Sequence, residues 1–540
     1  YGFYLRINST RVTAFSGPEA TEQHWQKLFA HYLNLMFVDL VLEFGEWFET
    51  MTENLIDTSN IEFQRFSRSL SLPKESEQSI SSLRDTVALA IVAFEEYINN
   101  IEDEPTVKLS MLGAPVDLII EAIKTAPPLK EKRFSFLIDE YENLRESQQQ
   151  VANTLIKHAS DTYTFKIGVR ELGWRCRTTL NPTEQLQSPA DYRLFSISEE
   201  LLDDDFAEFG KQVCNARLAA LRKTHPEIPN DISDLFPALS LQEEALKLGA
   251  GLHAKHIASG LGKLTEGARL FFDSLGPLEQ YFMQARAESS SSPIESIIEK
   301  AATDPSWKRK FDNHSHALLF TIRRGKRGIR KYYCGWRVFA MLANGNLRYL
   351  IELVDASISM HLEDGRLLSE QVSPEMQTKA AQRIGKKNLA ELEGLSIHGA
   401  KLSKLLLGLG RIFGIMAEDA IGHAPEVNQF ELADELPDTQ VDALIDNGVM
   451  HLALVRFTGT KAAGLDTKDY DYSVHPIYAP FFGFSHRKKR KMKLTRREVQ
   501  LLVDNTKSGI DSILSKSNRT QTTTLPDQLT LFENYFDGHP

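Results

Sequence analysis

The stretch "KRFSFLIDEYENL" at residues 132–144 constrains the fold of this chain more than any other. Four mostly apolar residues, 134–137, lead into Ile138 and then into two adjacent carboxylates, Asp139 and Glu140. A short apolar run bounded by charge reads as a strand, and the patterns on either side of it read as helices. "DTVALAIVAFEEYINNI" and "PVDLIIEAIKTA" precede it, and "SQQQVANTLIKHA" follows. Then come two further strand patterns, "YTFKIGV" and "YRLFSIS", and the helix "DDFAEFGKQVCNARLAAL". The first residues, "YGFYLRI", alternate as a strand, and Trp25, Leu28, Phe29, Tyr32 and Met36 recur at the spacing of a long amphipathic helix. Strands alternating with helices predict a parallel sheet with helices on both faces.

This α/β domain is expected to span residues 1–215. The pattern is then helical through 216–355, with a break at "AESSSSPIE". Residues 356–514 begin with the helices "NLAELEGL" and "GAKLSKLLLGLGRIFGIMAEDA". They continue into "LIDNGVMHLALVRF", where the Asn447-Gly448 pair signals a hairpin turn. Helices followed by a hairpin are what a winged-helix domain would show, and 515–540 reads as a tail. At 540 residues, with 42% hydrophobic and 25% charged, the chain can bury several cores. A net charge of −11 confines any nucleic-acid contact to local basic blocks. Cys176, Cys214 and Cys334 lie far apart, which predicts free thiols in a reducing, cytoplasmic setting. The apolar run from Tyr32 is short and carries Asp39 and Glu43, so no membrane span is expected.

A strand ending in Asp-Glu has the chemistry for half of a nucleoside-triphosphate hydrolysis site. Asp139 would hold Mg²⁺, and Glu140 would polarise the attacking water. The alternative is an acidic strand end at a wet sheet edge. The phosphate loop G-x-x-x-x-G-K-[ST] is absent from the 540 residues, and "SGLGKL" at 259–264 lacks both the first glycine and the final Ser/Thr. The expectation is that the chain begins within a domain and that the loop lies upstream of Tyr1. Arg170 ends the strand after the acidic one, where a cation would sense the terminal phosphate. Arg348 lies in the first turn of the helix "NGNLRYLIELV", aimed back from a helical lid.

The order "FLIDEYENL", "FKIGVRELG", "NGNLRYLIELV", then a winged-helix-like region, resembles the AAA+ ATPases of the origin-recognition and initiator clade. It is similar in the same places to their bacterial relatives and to signal-transducing ATPases with a strand-terminal Arg. The resemblance implies a P-loop NTPase core with an α-helical lid and a C-terminal winged helix, using ATP and Mg²⁺. It makes Asp139 and Glu140 the Walker B pair, Arg170 sensor 1 and Arg348 sensor 2. The clade commonly has a small polar residue at sensor 1, so Arg170 leans toward the signal-transducing relatives. An arginine finger for a neighbouring subunit of a homo-oligomer is expected among Arg175, Arg177 and Arg193.

Arg487, Lys488, Lys489, Arg490, Lys491 and Lys493 precede a Thr495-x-x-Glu498 capping box and are candidates to hold a DNA or RNA backbone. The glycine-rich basic run at 323–331 is a second such cluster or a flexible basic loop. In the tail, Gln528, Leu529, Leu531 and Phe532 resemble the peptide that docks bacterial proteins on the replication sliding clamp; the other reading folds these residues back onto their own core. Three functions remain open: an ATPase switch with an effector partner in bacterial anti-phage defence, a replication or transposition ATPase that loads proteins on DNA, and a non-hydrolysing scaffold.

Overall fold

The computed structural model describes residues 1–73, 79–101, 108–200, 203–396, 398–419, 426–433, 438–458, 470–520 and 525–537. It forms two compact units, Tyr1–Phe195 and Ser196–Pro540.

In the first unit, β1 (Gly2–Arg6), β2 (Phe134–Asp139) and β3 (Tyr163–Ile167) form a parallel sheet in the order β1-β2-β3. Phe3, Leu5, Phe134, Phe136, Ile138 and Tyr163 point into the core. Phe136 is fully buried, with ring centroids of Phe37 at 4.7 Å, Phe3 at 5.1 Å and Phe165 at 5.6 Å. The helices Glu22–Thr52, Ala114–Ile123 and Glu146–Lys157 contribute to this core.

The expected helices on both faces are not found: among the described residues of this unit, one face is covered. Tyr4, Arg6, Thr164 and Lys166, on the other face, are exposed. The reason lies in the alternation of β1 and β2, since strands covered on both sides carry apolar residues at every position. "YRLFSIS" is likewise not a strand. Its residues join no ladder, Leu194 and Phe195 are 65% and 61% exposed, and Tyr192 packs edge-on against Trp174 at 4.9 Å.

The Glu22–Thr52 helix is long and apolar enough to cross a membrane, yet 72% of its apolar window is buried in the protein. It is a core helix, buried around much of its circumference rather than along one stripe. Thr21 caps its start through the His24 N–H.

The second unit is helical through Gly399–Ala417 and then carries a four-stranded sheet. Its strands are β4 (Val427–Leu432), β5 (Leu454–Thr458), β6 (Tyr470–Val474) and β7 (Arg490–Leu494), in the order β5-β6-β4-β7. β7 runs parallel to β4 and the other pairs are antiparallel. The Gly399–Ala417 helix is buried nearly all round, and at Gly410 a Cβ would lie 2.4 Å from the Phe482 ring, so this close crossing requires glycine. Asn447-Gly448 makes no hairpin turn but lies inside the Thr439–Met450 helix. Asp438 caps that helix, and Val441, Leu444, Ile445 and Val449 bury one face of it, so helical periodicity outweighs the dipeptide. All three cysteines are free thiols.

Replacing Phe136 by Ala removes the ring at the centre of the first core. It should destabilise that unit by about 3–5 kcal/mol, read as a lower denaturant midpoint in guanidinium unfolding.

Candidate active site

Parallel pairing places Arg6 opposite Asp139 and Ile138 opposite Ile167, so the ends of all three strands converge. Asp139 is half-buried on the open face. Its Oδ2 accepts from the Tyr4 hydroxyl at 2.9 Å, and its Oδ1 accepts from the Glu140 N–H at 2.9 Å. The bond to the carboxylate favours the protonated phenol and raises the Tyr4 pKa. A Cβ at Gly168 would lie 3.0 Å from Asp139 Oδ1, so a glycine here leaves the carboxylate room.

Glu140 follows with φ +57°, a left-handed conformation that costs a residue with a Cβ about 1 kcal/mol or more. Its carboxylate is held from two sides. Arg6 Nη2 donates to Oε1 at 2.6 Å, and Asn143 Nδ2 donates to Oε2 at 3.1 Å while also reaching the Ile7 carbonyl at 2.9 Å. The Arg6 bond, chiefly, holds the Glu140 carboxyl below its ordinary pKa.

Arg170 belongs to the same strand-end cluster but binds a third carboxylate. Its Nε lies 3.1 Å from Oε1 of Glu142, whose side chain is only 10% exposed, and its N–H donates to Oε2 at 3.3 Å. The following segment is fastened to the Glu146–Lys157 helix by buried amides. Gln149 donates to the Gly173 carbonyl at 2.8 Å and accepts from the Arg175 N–H at 2.9 Å. Asn153 donates to the Thr178 carbonyl at 3.0 Å and accepts from the Tyr141 hydroxyl at 2.9 Å. Arg175 donates to the Leu144 carbonyl, Arg177 lies over Trp174 at 5.3 Å, and Arg193 lies over Phe195 at 4.9 Å.

Magnesium takes oxygen donors, keeps several waters and is commonly bound by one or two carboxylates together with substrate phosphates. Asp139 and Glu140 fit that half of the coordination. No cluster of three or more His, Cys, Asp or Glu that could hold a metal occurs among the described residues.

A family model described as ORC-CDC6-like matches residues 1–494. The chain belongs to the ORC-CDC6-like family. ORC-CDC6-like proteins are AAA+ ATPases that use nucleotide with Mg²⁺, act on DNA and typically oligomerise. No curated protein and no solved structure gives a significant match.

The remaining residues singled out from the sequence lie in the second unit of this ORC-CDC6-like chain. Arg348 is 70% exposed at the start of the Leu347–Glu363 helix, which Asn346 caps. Its Nε donates to Glu352 at 2.9 Å, and Nη2 lies 3.7 Å from Glu391. In the basic block, Lys489 pairs with Glu426 at 2.6 Å, while Lys491 pairs with Glu431 at 2.5 Å and Asp471 at 2.9 Å. Lys493 lies 3.5 Å from Glu431, and Lys488 lies 3.4 Å from the Phe457 ring centroid. Arg487 and Arg490 are exposed, with no carboxylate partner among the described residues. The Thr495 and Glu498 side chains form the expected capping box.

The tail folds into a short 3₁₀ turn, Asp527–Phe532. Leu529 is fully buried, Gln528 is half-buried and Leu531 is 73% exposed. Phe532 meets the Phe481 ring at 5.8 Å, and Asp527 accepts from the Gly328 N–H at 3.0 Å.

Sequence reasoning missed Tyr4, Arg6, Asn143 and Glu142. The signal for the first two was present: β1 alternates, so Tyr4 and Arg6 share its polar face, and parallel pairing carries that face to Asp139.

Replacing Arg6 by Ala should raise the Glu140 pKa toward the ordinary carboxylate range, read by carbon-detected NMR titration. Because the pair lowers the folded-state value, its stabilisation is present above the ordinary Glu pKa and is lost as pH falls through the depressed one. The Arg6 variant should therefore show a flatter dependence of stability on pH in the acid range.

Proposed function

We propose that this chain is an ATP-driven switch acting on nucleic acid, in which Asp139 orders Mg²⁺ and Glu140 polarises the attacking water. The observation that carries this reading is the pair of carboxylates at the C-terminal end of a central parallel strand, one of them clamped by Arg6. ATP with Mg²⁺ supplies the reactive phosphoryl group and the charge that stabilises its transfer. Arg6 and Asn143 each occupy one lone pair of Glu140, and releasing the Arg6 pair would raise its basicity toward water, so in this reading the pair is a resting position that opens for hydrolysis. Arg170, held by Glu142, is suited to sense the terminal phosphate, and Arg348 to do so from the lid.

In this reading the second unit contains a winged helix, and its basic block contacts DNA or RNA. Arg487 and Arg490 would contribute most, because Lys489, Lys491 and Lys493 lie against acids. The protein would work as a homo-oligomer in the cytoplasm, with an effector subunit, in bacterial anti-phage defence. That last step rests on architectural analogy alone.

The test is ATP binding and hydrolysis by the natively expressed protein, with and without DNA. Glu140→Gln should keep ATP binding and lower kcat by about 100-fold or more. Unchanged hydrolysis in that variant removes Glu140 from its role. Failure of the wild type to bind ATP leaves the scaffold reading.

The loader reading has its own observation in the "DQLTLF" tail. Leu529 is buried, so clamp docking through Gln528, Leu529, Leu531 and Phe532 requires the turn to leave its site on Phe481. Phe481→Ala, which loosens the docked turn, should then increase clamp co-purification, and deleting 526–536 should abolish it. Clamp capture insensitive to the deletion would end this reading.

A further inference from the structure

The helical part of the second unit contains a cleft of about 780 Å³ lined by basic side chains and no carboxylate. His253 and Lys255 come from the Ala250–Gly260 helix, and Arg323 and Lys326 from the glycine-rich basic run. Lys247, at the same cleft, is already paired with Glu375 at 2.8 Å. Lys255 and Lys326 are exposed, and neither forms an ion pair among the described residues.

Arg323 adds a third cation to the lining of the cleft. Its Nη2 donates to the Arg327 carbonyl at 2.7 Å, but its Nε is buried without a hydrogen-bond partner. The Ala250–Gly260 helix starts at this wall, where the Leu241–Leu248 helix ends. Gly249, at φ +104°, gives it no side-chain cap, and a Cβ there would meet nothing within 4 Å. Burial first and Lys326 second lower the His253 pKa, against smaller opposing contributions from the Ile322 carbonyl and Glu288.

The other walls are apolar. Leu246 and Leu252 are 53% and 74% exposed, and Pro277 also lines the cleft. Solvated apolar side chains beside unpaired cations suit a ligand with a flat apolar ring and an anionic end, and the cleft lies within the usual range for small-molecule sites. We propose that this cleft binds a nucleoside phosphate, with the phosphate at Lys255, Arg323 and Lys326 and the ring against Leu252 and Pro277. The source is a free nucleotide or the end of a nucleic-acid strand. The site lies in the second unit and does not depend on Asp139 or Glu140.

Photo-crosslinking of the full chain decides it, using an azido-substituted adenosine nucleotide and, separately, a 5′-phosphorylated azido-substituted oligonucleotide, with labelled peptides mapped by mass spectrometry. Label should appear within 246–258 or 277–280, compete with unlabelled probe, and persist in Glu140→Gln. Lys255→Glu with Lys326→Glu, both at exposed positions that leave the fold intact by thermal melting, should lower this label about ten-fold or more. Whichever probe labels the cleft identifies the source. Label absent from these peptides with both probes overturns the proposal, as does equal labelling in the double variant. Binding of inorganic phosphate alone, without either nucleoside probe, overturns the nucleoside assignment.

Discussion

The register of β2 between β1 and β3 is the constraint on which the rest of the first unit depends. With Phe136 beside Phe3 and Phe165, the aromatic side chains share one face, and the strand ends bring Arg6, Asp139 and Ile167 to one rim. A slip of one residue in either pairing would turn the phenylalanines to solvent and bury the carboxylate. The hydrophobic core and the candidate site are therefore set by the same hydrogen bonds. The buried amides Gln149 and Asn153 extend that control to the segment beyond Arg170.

Strand-end carboxylates near cations are inexpensive to assemble because they remain partly hydrated. Glu140 is held by two donors rather than buried, and Glu142 takes the other arginine. Each acid thus has its own partner, which separates the water-polarising candidate from the sensing one. In the second unit the distribution is uneven: Lys489 before β7, and Lys491 and Lys493 within it, lie against Glu426, Glu431 and Asp471, while the cleft at Lys255 and Lys326 has cations without such partners.

What was legible in the sequence follows from what is local. The three parallel strands, the core helix after β1, the helix caps and the acidic pair at 139 and 140 are written in adjacent residues. The order of elements predicts cover on both faces of the sheet, but the alternation in β1 and β2 leaves one face open. "YRLFSIS" has a strand's composition but no ladder to join, and Asn447-Gly448 has a turn's composition inside a helix that buries four apolar residues. Arg6 lies 134 positions from Glu140, and Asp527 lies 199 from Gly328; neither pairing has a local signature. The burial of Leu529 agrees with the reading that folds the tail back onto the chain's own core.

The most direct measurement of the central claim is the structure of the natively expressed protein with Mg²⁺ and a non-hydrolysable ATP analogue. The expected result places the metal within one water of Asp139, with Glu140 released from Arg6 and hydrogen-bonded to a water in line with the terminal phosphate. A bound analogue whose metal and phosphates lie away from Asp139, with the Arg6–Glu140 pair intact, would contradict it.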